Sequence, residues 1–273
     1  MENLSAAKKQ YFRLQDNRVL KLVEGMTLFD DDLMTLVFDQ NVKAVELVLR
    51  IILGRPVHVK EHHVQEELRN PVVDGRNITL DVLAVEDDGT EIDIEVQGNS
   101  AGANVKRARF HSASMDYRML KKNEDLGQLR DSYVIFIYKH DKFGKGLPIY
   151  IARRVVDETG ESLDDGSYII YVNGAYKGND EIGMLMQDFH SLNSEGMNYK
   201  ELADGMQHFK ETGKGRDTMC EAVEEYAKEY AIENKILNVK NLMENMNWTL
   251  DQTLTNMGIT DQEREIIIQQ LQK

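Results

Sequence analysis

The sequence predicts an α/β or α+β fold: a central mixed sheet of at least five strands with helices on its faces, followed by a C-terminal helical tail. Three observations predict it. Residues 78–97 alternate apolar and polar side chains on either side of a Gly-containing turn. Residues 133–138, 149–151 and 168–172 are further short apolar runs, separated by turns at Gly144, Gly146, Gly160 and Gly166. Helical patterns over 30–53, 103–122, 180–190 and 199–210 stand between and beside these runs.

Residues 1–25 are polar and mixed and read as a short helix or arm. The pattern over 30–53 reads as one helix. Asp30, Asp31 and Asp32 suit its positive end, and Gly54-Arg-Pro56 stops it. In the 103–122 helix, Val105, Ala108, Ser112, Met115 and Met119 form a buried stripe, while Arg107, His111, Ser114, Arg118 and Lys121 form another. Gly213-Lys-Gly-Arg216 reads as a boundary, giving a domain over 1–215 and a helical tail over 216–273. In the tail, Met219, Val223, Tyr226, Tyr230 and Leu237 run at coiled-coil-like spacing, interrupted by Glu233. Packing or self-association, as a homodimer through these helices, is the expected use of the tail.

Residues 78–97 carry the chemistry. A three-residue loop, Asp87-Asp88-Gly89 with Gly89 left-handed, pairs Glu86 with Thr90 and Asp81 with Glu95. It also pairs Val82 with Ile94 and Ala84 with Ile92. One face is then aliphatic and the other carries Asp81, Asp93, Glu95 and Gln97. A two-residue loop would put Asp81 and Glu95 on opposite faces. Opposed like charges repel, so stability alone disfavours the preferred pairing. Two such carboxylates are placed to share one divalent cation. The plain alternative is an acidic strand face turned to water.

An Asp ending an apolar strand, a turn, then Glu-x-Gln in the next strand: this order resembles the PD-(D/E)XK nuclease superfamily, in its branch of recombination-promoting nucleases and nuclease-family transposases. Asp32-Leu-Met-Thr-Leu-Val-Phe38 is similar to the branch's N-terminal Asp-x-Phe-Lys-x-x-Phe pattern, with Met34 and Thr35 departing from it. Arg107-Ala-Arg-Phe-His-Ser112 resembles the helix after the catalytic strand. Residues 133–137, 144–150 and 165–174 resemble its later strands. The resemblance covers roughly residues 25–215. It implies a restriction-endonuclease-like core and a Mg²⁺-dependent DNA endonuclease associated with transposition or recombination, with Mn²⁺ as a substitute ion. Asp81, Glu95 and Gln97 would be catalytic, and Asp81, Glu95 and the Val96 carbonyl would hold the metal. Lys106, Arg107, Arg109 and His111 would meet DNA. Glu46 would be an accessory acid from the first helix. Gln97 stands where the superfamily usually has Lys, and an amide cannot act as a cation or a general base. A weak or inactive descendant, kept as a DNA-binding or interaction module, is the alternative.

Charge bears on both readings. The chain has net charge −14, which argues against the whole surface binding DNA. Residues 101–155 carry twelve cations against five acids, a local +7 straight after the acidic hairpin. The single cysteine, Cys220, excludes a disulfide within the chain and makes no zinc site with other cysteines. No run of about 18 apolar residues predicts a membrane span, and the first residues lack an apolar signal core, so a cytoplasmic protein is expected.

Overall fold

A computed structural model describes residues 19–271 apart from 40, 71, 73, 74 and 99–103. The expected arm over 1–25 lies mostly outside the described residues, of which 19–25 are helical. Residues 20–219 form one compact unit, and residues 220–271 belong to a second.

In the first unit the 30–53 pattern is two helices, α1 (Asp31–Phe38) and α2 (Val42–Leu53). The break has a local cause. Asn41 turns out of helical geometry and its side chain accepts the Ala44 N–H, capping a new helix start. Gly54 ends α2 in the left-handed conformation at φ +65°, which glycine adopts without cost. The sheet follows: β1 (Val59–Leu68), β2 (Ile78–Glu86), β3 (Glu91–Gln97), β4 (Ser132–Tyr138), β5 (Ile149–Ala152) and β6 (Ser167–Asn173). Its order is β1-β2-β3-β4-β6-β5. β3, β4 and β6 run parallel, and the other pairings are antiparallel. Helix α3 (Val105–Met119) leads from β3 towards β4, while α4 (Glu181–Phe189) and α5 (Lys200–Glu211) follow the sheet. This six-stranded mixed sheet flanked by helices is a restriction-endonuclease-like α/β fold.

Register decides which face meets which helix. Asp93, Glu95 and Gln97 pair with Val134, Phe136 and Tyr138, so these six share one face. Leu83, Val134, Phe136, Tyr138 and Tyr171 pack there with Ala108 and Met115 of α3. The acidic hairpin face is therefore roofed by α3 rather than turned to water. Each large apolar side chain fully buried there contributes about 1.5–3 kcal/mol, which holds the helix down over the carboxylates. Val105, expected in the buried stripe, is 53% exposed, and His111, expected on the cation-bearing stripe beside it, is 2% exposed. α3 is rotated so that His111 faces the sheet.

The expected boundary at Gly213-Lys-Gly-Arg216 lies inside a helix. Residues 213–246 form one helix, α6 (Gly213–Met246). A Cβ at Gly215 would lie 2.0 Å from the His208 carbonyl oxygen, so the glycine serves close packing. In the second unit, α7 (Leu250–Asn256) and α8 (Asp261–Leu271) fold against α6 through Val239, Leu254 and Ile267, with Ile232, Ile236 and Met243 beside them. Leu237, placed in the expected seam, is 56% exposed. The seam runs along a different face because the short helices pack on the Ile232–Ile236–Val239 side. Among the described residues no helix is long and apolar enough to cross a membrane.

Candidate active site

The site sits where β2 and β3 part. Val82 faces Ile94 and Ala84 faces Ile92, as the three-residue loop requires. The Glu86 N–H donates to the Thr90 carbonyl at 3.0 Å, and Gly89 has φ +89°. One step further, this register sets Asp81 opposite Glu95. There the backbone ladder gives way to side chains. The Asp81 N–H donates to Glu95 Oε1 at 3.1 Å, and the Val96 N–H donates to Asp81 Oδ2 at 2.9 Å. Each acid thus occupies a backbone donor of the other strand, which fixes both carboxylates at the strand ends.

A third acid joins them. Asp93 and Glu95 are both 0% exposed. His111 Nδ1 lies 2.9 Å from Asp93 Oδ2 and 3.6 Å from Glu95 Oε1. Arg107, one helical turn earlier on α3, bonds Glu95 Oε2 through its guanidinium. Its Nε also donates to His111 Nε2 at 3.3 Å, so Nε2 is the acceptor and Nδ1 carries the proton towards Asp93. Phe136, paired with Glu95 across the sheet, lies under the Arg107 guanidinium at 5.7 Å and so steadies it. Asp93 Oδ1 is buried without a hydrogen-bond partner among the described residues.

The electrostatics follow from this crowding. Burial, then the charge of Asp93, pushes the Glu95 carboxyl up to about 8, against the pull of His111 and Arg107. Burial, then Glu95, holds Asp81 well above the usual carboxylate range. Burial, then Asp81, does the same to Asp93, opposed by a hydrogen bond to Glu95 and by Arg107. Burial lowers His111, which is neutral at pH 7, with Arg107 and Arg76 adding to the shift. Three carboxyls short of positive partners fit a divalent cation. Asp81, Glu95 and the Val96 carbonyl are a hard oxygen set. Asp93, Glu95 and His111 each bring one ligand atom within 4.8 Å of the others.

Gln97 is half-buried, and its Nε2 donates to the Val96 carbonyl at 3.2 Å. Lys106 is exposed and lines a cleft with Arg107 and His111. Arg109 is exposed and lines neither that cleft nor the next one along α3. Glu46 is not brought to the cluster. Its Oε1 accepts the Val59 N–H at 3.0 Å and stands 4.0 Å from His58. The helix acid whose charge reaches Asp81 is Asp31, in the first turn of α1. Burial raises Asp31, and the charge of Arg107 opposes the shift. Gln65 joins it to the sheet, with Nε2 3.3 Å from Asp31 Oδ1. Gln65 lies between the pairs Val64–Val82 and Glu66–Leu80, level with Asp81, and has φ +55°. A left-handed residue inside a strand is strained, and here it turns an amide towards the α1 acid. The triple Asp30-Asp31-Asp32 was the available signal, and helix-end electrostatics explains it equally well.

No curated protein and no solved structure matches the chain. Residues 48–174 match a family model described as PD-(D/E)XK nuclease family transposase. The match takes in the whole β2–β3 hairpin, α3 and the three strands that follow, so this segment is similar to that family.

Proposed function

We propose that the chain is a divalent-metal-dependent DNA endonuclease that hydrolyses phosphodiester bonds in transposition or recombination. One observation carries the reading: Asp81 and Glu95, 14 residues apart, meet at the parted ends of β2 and β3 within the family-matched segment. Asp81, Glu95 and the Val96 carbonyl would hold Mg²⁺, with Mn²⁺ as a substitute. When bound, the ion stabilises charge on the scissile phosphate and lowers the pKa of its water. Arg107 exchanges Glu95 for a phosphate oxygen, a contact its planar donors suit. His111, fixed by Asp93, keeps Arg107 aimed at the opening between α3 and the strands. Gln97 releases the Val96 carbonyl and orients a water or a phosphate oxygen through its amide. Lys106 and Arg109 add phosphate contacts outside. The second unit, with Leu237 and Ile266 exposed, serves self-association.

Plasmid nicking with and without Mg²⁺ tests the reading. Nicking that needs Mg²⁺ and disappears in Glu95→Gln is expected. A second reading has one observation in its favour: Gln97 gives no cationic or basic group where the superfamily has Lys. It describes a weak or inactive nuclease fold that binds DNA. Absence of nicking in Mg²⁺ and Mn²⁺, with DNA binding intact in Ca²⁺, would favour it and sink the first.

A further inference from the structure

The outer face of α3 is not explained by the acidic centre. Phe110, Ala113, Ser114 and Tyr117 follow the spacing of one helical face. Phe110 is 37% exposed and Tyr117 is 64% exposed. Two clefts run along this face, of about 730 and 650 Å³, and share Arg76 and Phe110. Each falls in the range of about 300–1,000 Å³ that holds a small organic ligand, so each has room for a nucleotide. The first cleft ends on Arg107 and His111, the rim of the acidic centre. Its cations are Arg76, Lys106 and Arg107, and no acid lines it among the described residues. Arg76 makes no ion pair among the described residues, and its charge reaches His111. In the second cleft the acids are already engaged. Glu67 pairs with Arg69 at 3.1 Å, and Glu66 stands 3.9 Å from Arg118.

We infer that this face of α3 binds an unpaired DNA strand, with bases stacked on Phe110 and Tyr117 and phosphates on Arg76 and Lys106, and leads it to the acidic centre. The inference rests on the nuclease reading and narrows its substrate. Cations alone would serve a duplex equally, since phosphate contacts carry no information about base pairing. The aromatic rings decide the matter. Seven residues separate them, about 10 Å along the helix axis, against a rise of about 3.4 Å between stacked nucleotides. Two rings that far apart cannot both cap one stacked duplex end. They can each receive a base from a strand whose bases have come apart. Stacking platforms beside a positive groove are the general solution for unpaired strands.

The test is fluorescence anisotropy in Ca²⁺, with a 16-nucleotide oligo-dT, an abasic oligomer of the same length and a hairpin duplex with the same number of phosphates. Tyr117 is the cleanest position because its ring is mostly outside the fold. Tyr117→Ala should weaken oligo-dT binding at least five-fold, within the about 5- to 150-fold expected for one lost stacking platform. Phe110→Ala should do the same, with circular dichroism checking its fold. Neither change should alter abasic or duplex binding, and Tyr117→Phe should restore oligo-dT affinity. Equal losses on all three probes, or no loss on oligo-dT, would overturn the inference. Plasmid nicking separates its fate from that of the nuclease reading. Nicking by a protein whose oligo-dT affinity ignores Tyr117 overturns only the strand groove. Tyr117-dependent oligo-dT binding by a protein that nicks nothing supports the groove and overturns the nuclease.

Discussion

Asp188 and Asp93 are both 0% exposed, and they are buried in different ways. Asp188 ends α4 and is fully engaged. Its Oδ1 accepts the Asn198 N–H at 2.8 Å and the Asn198 side-chain amide at 2.9 Å, and its Oδ2 accepts the Tyr199 N–H at 2.9 Å. It ties the loop before α5 to the end of α4. Asp93 has one imidazole on Oδ2 and, among the described residues, no hydrogen-bond partner on Oδ1, and two more carboxyls stand beside it. Lys210 resembles Asp188: its Nζ donates to the carbonyls of Glu24, Met26 and Leu192 at 2.6–3.1 Å. A buried charge with a full set of partners holds a fold together. One left short of partners costs stability unless something else binds there. On that contrast Asp188 and Lys210 hold the fold, and the Asp81–Asp93–Glu95 cluster fits the metal site proposed above.

The contrast breaks most visibly in activity. Glu95→Gln should abolish Mg²⁺-dependent plasmid nicking, because the substitution keeps the shape and removes the charge shared between the metal set and Arg107. Asp188→Ala should leave nicking per folded molecule intact. Nicking retained by Glu95→Gln would detach the cluster from catalysis.

Stability should move the other way. Asp188→Ala strands two backbone N–H groups and a side-chain amide. With about 1.5–3 kcal/mol for a hydrogen bond to a charged group and only partial additivity, a loss of about 3–5 kcal/mol is expected in urea unfolding. EDTA and Mg²⁺ should give the same loss. A loss under 1 kcal/mol would show that Asp188 is not the tie its bonds suggest.

Asp93→Asn should lower the charge of the cluster without removing a bond from it. The amide oxygen keeps the His111 Nδ1–H bond and the substitution removes one of three crowded charges. Stability in EDTA should be unchanged or raised by up to about 1–2 kcal/mol, while the gain on adding Mn²⁺ shrinks. A large loss in EDTA would make Asp93 a structural residue like Asp188.

The sequence carries the hairpin and not its roof. Period-two alternation and a loop ending in Gly89 leave one register with an all-apolar face, and this sets Asp81 against Glu95 before any tertiary contact is known. His111 was not legible in that way. Its burial depends on how α3 rotates over the sheet, and the helix offers a cation stripe and an apolar stripe that overlap. Asp31 escaped because an acid in a first helical turn needs no site to explain it. Glu46, implied by the resemblance as an accessory acid, accepts the Val59 N–H instead. Asp93 was placed on the acidic face, but a missing partner for Oδ1 exists only once α3 is in place. Gly213-Lys-Gly-Arg216 reads as a boundary in sequence, but the stretch is helical, and Gly215 is required there by the close approach of the His208 carbonyl.

The smallest expected effect is a slope with pH. The Glu95 carboxyl is raised to about 8 by burial and by Asp93, whereas an unfolded glutamate titrates near its ordinary value of 4.5. Between these values the folded state holds a proton that the unfolded state has lost. Stability therefore falls as pH rises, by up to about 1.4 kcal/mol per pH unit, and the loss is complete above the folded value. Asp81 and Asp93, both raised, act in the same direction. His111 acts in the opposite direction, since its folded pKa is lowered from 6.5. Its contribution is confined to pH below about 7, where the unfolded imidazole takes up a proton. The clean window is pH 7 to 8. In EDTA the melting temperature should fall across it, and Glu95→Gln should flatten the fall because the amide does not titrate. Mg²⁺ should flatten it too, since an ion that binds the deprotonated carboxylates stabilises the folded state more as pH rises. Asp188→Ala should keep the wild-type slope at a lower melting temperature. An equal slope in wild type and Glu95→Gln would mean that Glu95 is already ionised at pH 7, held by Arg107, and that the cluster is satisfied in the way Asp188 is.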